Sequence, residues 1–478
     1  MRYAVLAADY DGTIAPDGRV APSTVAALER LAASGRKLVL VTGRELEALL
    51  EIFPAIGIFD RVVAENGALL YVPATGERRA IGAAPPAFFV RELERRGIAP
   101  LSVGESIVAT VHPHETVVLE TIRDLGLELQ VIFNKGAVMV LPPSINKASG
   151  LKAALAELGL SPRNAVAIGD AENDHALLRE CEYGVAVADA LPTLKREADR
   201  VSAHPSSDAV IELVEELLGR GPDDSPPRSA RRRLALGTRA GGTPVEVPAA
   251  WSDVLVAGPR GGGSLLARGL LERVCAQGYQ ACVVDSDGRY GGFADAIVFG
   301  TAERGPTVDE VLTALEQPES TAIVNLAAVT VEARPAFVAE LAPRLAALRA
   351  AVGRPHWILL DDAHELAPAA AASGLTGGSG LIYASAQAAA LPAAALAELD
   401  AVIALGEAPQ AAITAIARAA GRPAPPLDGA RGRTGDALAW LTRSGEAVWI
   451  APTRTAPQER RREGRYALPG SAGDGDRR

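Results

Sequence analysis

The chain has few cysteines, no long apolar run and no excess of positive charge, and each absence removes a class of protein. Cys181, Cys275 and Cys282 are the only cysteines in 478 residues and form no CxxC or metal-ligand spacing. They read as buried thiols in a reducing compartment. No apolar stretch approaches the roughly 20 residues needed to cross a bilayer. The N-terminus enters a strand-like run directly, without the charged segment and apolar stretch of a secretory signal, so a cytoplasmic location is expected. Lys and Arg total 48 against 58 Asp and Glu, a formal charge of −10, which argues against a nucleic-acid coat. Neither half of the chain repeats the other. What is present is ordinary for a globular protein, 48% hydrophobic and 22% charged residues, at a length that predicts two or more domains.

One seam is visible. Residues 219–250, GRGPDDSPPRSARRRLALGTRAGGTPVEVPAA, are rich in Gly, Pro and Arg and follow neither helical nor strand periodicity, which predicts a linker. The end of the chain, 468–478, is expected to be disordered. Before the seam, short apolar runs (YAVLAADY, KLVLVTG, RVVAENGALLYV) alternate with amphipathic helical patterns (STVAALERLAASG, ELEALLEIF). That alternation predicts an α/β fold with a parallel sheet covered by helices, in which ligands lie beyond the carboxyl ends of the strands.

Polar residues gather at those ends. LAADYDGT supplies Asp9 and Asp11, VTGR supplies Thr42, Gly43 and Arg44, and AVAIGDAENDHALL supplies Asp170, Asn173 and Asp174; Lys147 opens the helix of INKASGLKAAL. Carboxylates so placed repel one another unless a cation is present. A hard divalent ion, Mg2+ most naturally, takes carboxylate oxygens together with a substrate phosphate. With it, one carboxylate can attack phosphorus and a second can move protons, while a hydroxyl and an ammonium hold the phosphoryl oxygens.

DYDGT, VTGR, NKASGL and GDAENDHALL, in that order, resemble the four motifs of the haloacid dehalogenase (HAD) superfamily of phosphatases over about residues 1–218. The resemblance implies Asp9 as nucleophile, Asp11 as general acid/base, Thr42 and Lys147 as phosphate-binding groups, and Asp170 and Asp174 as carboxylates around Mg2+, supported by Asn173. Asp9 and Asp11 belong to the same metal set, Asp11 through its backbone carbonyl. Residues 1–80 and 143–218 would form the core. The insertion 81–142 reads helix (PAFFVRELERRG), strand (SIVATVHP), helix (ETVVLETIRDLG) and two strands (LELQVIF, GAVMVLPP). It resembles the α/β cap of the IIB branch, the Cof-type and sucrose-phosphatase-like enzymes, which implies that substrate contacts lie there. Asn66 in AENGA and Arg44 are expected beside the substrate. His112 and His114 read as capping and turn residues, and His175 is given no catalytic role.

The second half, 251–467, opens with a strand, a glycine-rich loop and a helix, DVLVAGPRGGGSLLARGLLERVC, the setting of a phosphate-cradling loop. Placing GxxxxGK[ST] on Gly258 and Gly263 puts Ser264 at the lysine position and Leu265 at the hydroxyl position, so both chemical groups are lost; Arg260 or Arg268 is the only substitute in view. QACVVDSDGRY, TAIVNLAAV, HWILLDDAHEL and GLIYASAQ complete a resemblance to the HerA/FtsK-type P-loop ATPases over about 252–406. It implies Asp361 as the Walker B aspartate, Asp362 in place of the usual glutamate, and Gln387 as the sensor-like glutamine. With three chemical positions altered, this half is expected to be a degenerate nucleotide-binding or structural module that regulates or oligomerises the first. The expectation as a whole is a Mg2+-dependent phosphatase of small sugar phosphates or phosphoacids, with a nucleotide and a second copy of the chain as candidate partners and neither membrane nor nucleic acid among them. A nucleotide-responsive scaffold, and a phosphotransferase or mutase of the same fold, are the alternatives.

Overall fold

The computed structural model describes residues 3–219, 231–293, 295–375, 380–426 and 432–453, and the chain parts into two compact units, 1–229 and 230–478. In the first, the apolar runs form β1 (Val5–Asp9), β2 (Lys37–Val41) and β3 (Arg61–Ala64), then the hairpin β4 (Leu69–Val72) and β5 (Glu77–Ala80). The insertion contributes β6 (Ser102–Val103), β7 (Val108–Val111), β8 (Gln130–Asn134) and β9 (Ala137–Leu141), after which the chain returns through β10 (Ala165–Gly169), β11 (Tyr183–Ala186) and β12 (Arg200–Val201). The core sheet has the order β12-β11-β10-β1-β2-β3-β4-β5. It is parallel from β12 to β3; β4 runs against these strands, and β5 turns back to their direction.

All five residues of β1 are buried, because helices cover both faces of a parallel sheet and leave no side to alternate toward water. Its register decides what meets at the sheet edge. Asp9 stands opposite Val41 of β2, and Ala8 opposite Ile168 of β10. The residues just past Val41 and Gly169 therefore emerge level with Asp9. β1 is also the strand from which the connections leave in both directions, and a crevice forms there.

The insertion is an antiparallel sheet, β6-β7-β9-β8, with the helices Ala87–Arg95 and Glu115–Asp124 on one face. Strand alternation divides β9. Val138 and Val140 pack with Phe89, Leu93 and Val118 beneath the helices, whereas Met139 and Leu141 pack with Ala68 and Ile145 of the core. The cap thus turns a largely apolar face to the core. His112 pairs with Glu115 at 2.9 Å, and His114 is the N-cap residue of the helix that Glu115 opens, the turn chemistry their spacing predicts.

The second unit carries β13 (Arg233–Thr238), β14 (Pro244–Pro248), β15 (Val254–Ala257), β16 (Ala281–Asp285), β17 (Ala296–Phe299), β18 (Thr321–Asn325), β19 (Trp357–Leu360), β20 (Leu381–Ser385), β21 (Ala401–Ala404), β22 (Ala437–Leu441) and β23 (Glu446–Pro452). They form one sheet in the order β14-β13-β23-β22-β21-β15-β20-β19-β16-β18-β17, parallel from β21 to β17. This corrects the expected linker of 219–250. Arg233–Thr238 and Pro244–Pro248 pair as a hairpin that joins β23, with Leu234, Leu236, Val245 and Val247 buried. Gly242, at φ +81°, lies in the turn between the two strands, and Pro244 and Pro248 stand at the two ends of β14. Residues 220–230 and the expected tail, 468–478, lie outside the described residues. Among the described residues no helix is long and apolar enough to cross a membrane.

Candidate active site

The crevice above β1 brings together most of the residues singled out by sequence. Asp9 ends β1, and its carboxylate accepts a hydrogen bond from Lys147 Nζ at 2.5 Å and from Thr13 Oγ1 at 3.1 Å. Lys147 Nζ also donates to Asp174 Oδ1 at 2.7 Å. The lysine arrives through backbone packing. Asn146 caps its helix, accepting from the N–H groups of Ala148 and Ser149, while Ser149 Oγ accepts from the Asn146 N–H, and this capping box leaves Lys147 in the first turn. Gly67, at φ +106°, lies so close to that helix start that a Cβ there would sit 2.0 Å from the Asn146 carbonyl oxygen, and one on Gly150 would sit 2.7 Å from the Gly67 Cα. Only glycine permits this approach.

Asp174 is fully buried, and its second oxygen accepts from the Asp170 and Ala171 N–H groups at 2.9 and 3.0 Å. Ligand oxygens of Asp9, Asp170 and Asp174 all lie within 4.8 Å of one another. A single buried ammonium cannot neutralise three such carboxylates. Burial first, and the charge of Asp174 next, push the Asp9 carboxyl up from 3.8 to about 8 against the pull of Lys147. Lys147 itself is raised, since Asp174 and Asp9 outweigh its own desolvation, and Asp170 is raised chiefly by burial. Oxygen donors alone, crowded and short of positive charge, fit a hard divalent cation.

Around this cluster the remaining expected residues divide. Thr42 is buried beside Asp9, its hydroxyl accepting from the Arg44 N–H at 3.1 Å. Gly43 runs close to Asn173 and to Met139 of the cap. Asn173 Nδ2 donates to Asn66 Oδ1 at 3.0 Å, and the other amide atoms of this pair, Asn66 Nδ2 and Asn173 Oδ1, are buried without a partner. Arg44 grips Asp11 with two hydrogen bonds, 2.8 and 2.7 Å, so the Asp11 carboxylate is turned to the arginine and stands outside the triad. His175 pairs with Glu197 at 3.0 Å, away from the cluster.

Three participants escaped the sequence reading. Thr13 follows Asp9 by four residues and bonds to it, a signal present in DYDGT itself. Lys135, at the tip of the β8–β9 turn, donates to the Asp11 carbonyl at 3.0 Å and pairs with Asp170 Oδ2 at 2.7 Å. Buried Glu65 accepts from the N–H groups of Glu105 and Ser106 in the β6–β7 loop at 2.9 and 2.6 Å, tying cap to core.

Residues 6–78 and 114–214 match the family described as haloacid dehalogenase-like hydrolases. The phosphoglycolate phosphatase of Methanothermobacter thermautotrophicus is 32% identical over 224 residues, 45% of this chain and 98% of the relative. That of Haloarcula marismortui is 31% identical over 218 residues, 44% of this chain and 95% of the relative. A solved haloacid dehalogenase-like hydrolase from Bacteroides thetaiotaomicron is 18% identical, covering 45% of this chain and 99% of that one with a TM-score of 0.40. Through its first unit the chain belongs to the haloacid dehalogenase-like hydrolase family. It is an enzyme of that family's phosphatase kind.

In the second unit, the glycine-rich loop joins β15 to the helix Gly262–Cys275. Ser264 Oγ donates to Asp361 Oδ1 at 2.9 Å, and burial pushes the Asp361 carboxyl up to about 6. Asp362 pairs with Arg260 at 3.3 Å, and each of the two aspartates keeps one buried oxygen without a partner. Arg268 is directed elsewhere, to Glu272 and the Gly292 carbonyl. A cavity of about 680 Å3 lies at the ends of β15, β20 and β21, lined by Gly258, Pro259, Gln387, Leu405 and Glu407 among others.

Proposed function

We propose that the first unit hydrolyses phosphate monoesters of small phosphoacids or sugars, with Mg2+ and through an aspartyl phosphate on Asp9. The observation that carries this reading is the buried contact of Lys147 with both Asp9 and Asp174 inside the Asp9–Asp170–Asp174 cluster. Asp9, Asp170 and Asp174, with the Asp11 carbonyl, would hold the ion, which supplies positive charge to the transferring phosphoryl oxygens. Asp9 attacks phosphorus and the ester oxygen leaves. Lys147 and Thr42 hold the phosphoryl oxygens where charge builds. Asp11, turning from Arg44, gives its proton to the leaving oxygen and then takes one from the water that hydrolyses the acyl phosphate. The cap excludes bulk water meanwhile. The names of the curated relatives favour a phosphoacid. Phosphate release over a panel of small esters, with Mg2+ or EDTA and with Asp9→Asn alongside, tests the reading. Metal-dependent release lost in the variant supports it, and no release from any ester overturns it.

For the second unit we infer a degenerate P-loop-type module that binds a nucleotide without turning it over, and that regulates or oligomerises the enzyme. The glycine-rich loop before Gly262–Cys275, the bond from Ser264 in the first turn of that helix to Asp361 just past β19, and the adjoining cavity support this. Calorimetric titration with ATP tests nucleotide binding, and no heat at millimolar ATP counts against it. Size-exclusion chromatography tests oligomerisation, and a monomer at all concentrations counts against that.

A further inference from the structure

We propose that Lys135 makes the enzyme selective for substrates with a second anionic group beyond the phosphate, a phosphoacid rather than a phosphorylated neutral alcohol; this rests on the phosphatase reading above. The residue is set by its backbone. Lys135 and Gly136, at φ +46° and +84°, form a two-residue reversal closed by the pair Asn134 and Ala137, the left-handed geometry that matches the twist of a hairpin. The tip is therefore held on the cap sheet rather than free to wander, and it aims the lysine at the core.

The ammonium reaches the carbonyl of Asp11 and the carboxylate of Asp170. Gly12 makes that reach available, since a Cβ there would lie 2.6 Å from Lys135 Nζ. The other cations at this edge hold carboxylates of their own. Lys147 is buried between Asp9 and Asp174, and Arg44 is bound twice to Asp11. Among the described residues Lys135 is the cap cation paired with a strand-end carboxylate, that of Asp170, and its side chain is 47% exposed. The neighbouring cap positions that face the core, Met139 and Leu141, are apolar.

An acidic edge repels a substrate bearing a second negative charge, and an ammonium at the mouth reverses that for anions alone. Once Asp170 is neutralised from another source, Lys135 is free to turn to the leaving group. A carboxylate there gains a charge-assisted hydrogen bond, whereas a neutral alcohol gains little.

The test compares 2-phosphoglycolate with 4-nitrophenyl phosphate in the full-length protein, its Lys135→Met variant and its Lys135→Arg variant. The ratio of kcat/KM for the two esters should fall about tenfold or more in Lys135→Met, mostly through KM, and recover in part in Lys135→Arg. Calorimetric binding of the same two esters to Asp9→Asn, with and without Lys135→Met, should show the same loss for 2-phosphoglycolate without turnover. An unchanged ratio, or equal losses for both esters, overturns the selectivity while leaving the phosphatase standing. Absence of release from both esters by the unaltered protein overturns the phosphatase reading, and this inference with it.

Discussion

The two strand-end edges of this chain are built alike and charged differently. Each lies above a parallel sheet and collects aspartates at or just past the strand ends. In the first, a fully buried lysine bridges two of three crowded carboxylates. In the second, the corresponding partner of the strand-end Asp361 is the hydroxyl of Ser264. A hydroxyl satisfies a hydrogen bond but neutralises no charge, so Ser264 does not do for Asp361 what Lys147 does for Asp9 and Asp174. Shared architecture therefore says little about shared chemistry.

The sharpest break of this contrast is Asp9→Asn. An amide is a poor nucleophile and a weaker metal ligand, and phosphate release should fall by about 10³-fold or more, measured over the ester panel. Next is Lys147→Met, which leaves Asp9 and Asp174 buried without their shared cation. Breaking such a pair costs about 3–5 kcal/mol, so thermal unfolding of the first unit should drop by roughly 10 °C, with Mg2+ restoring more of the loss than it adds to the unaltered protein.

A smaller effect concerns pH. Folded Asp9 keeps its proton up to about 8, against 3.8 ordinarily, so between those values the folded state binds a proton that the unfolded state has released. Stability of the metal-free protein should fall as pH rises through that window. Melting curves in EDTA from pH 5 to 8 should show the slope, and Asp9→Asn should flatten it. The least effect is expected from Ser264→Ala. It removes one hydrogen bond from Asp361, about 1–3 kcal/mol of local stability, and should leave phosphate release within about twofold. A larger loss of activity would show that the second edge acts on the first.

How much was legible beforehand follows from where each residue stands in the chain. Asp9, Thr42 and Asp170 each end an apolar run, and a parallel register must bring such ends together, so their meeting could be read from pattern alone. Lys147 opens a helix and was readable from its motif. Lys135 was not, because 124 residues separate it from Asp11 and its aim depends on a hairpin turn in the cap. Glu65 was missed for a similar reason. Its partners are backbone N–H groups of another loop, which carry no residue signature. The hairpin of Arg233–Thr238 and Pro244–Pro248 was misread because its strands are short and flanked by Gly and Pro, which read as loop, and the strand that joins it to the sheet, near Ala451 and Pro452, comes more than 200 residues later.

The sequence by itself determined the alternation of strands and helices, the gathering of carboxylates at strand ends and the glycine-rich turn before Ser264, since these depend on residue type and short-range spacing. Tertiary structure alone decided that Arg44 holds Asp11 away from the triad, that Lys135 enters from the cap, and that the glycine-rich seam is partly a hairpin. The first two rest on contacts between residues far apart in the chain, and the hairpin on its docking against β23, which only the packing of sheets and helices sets.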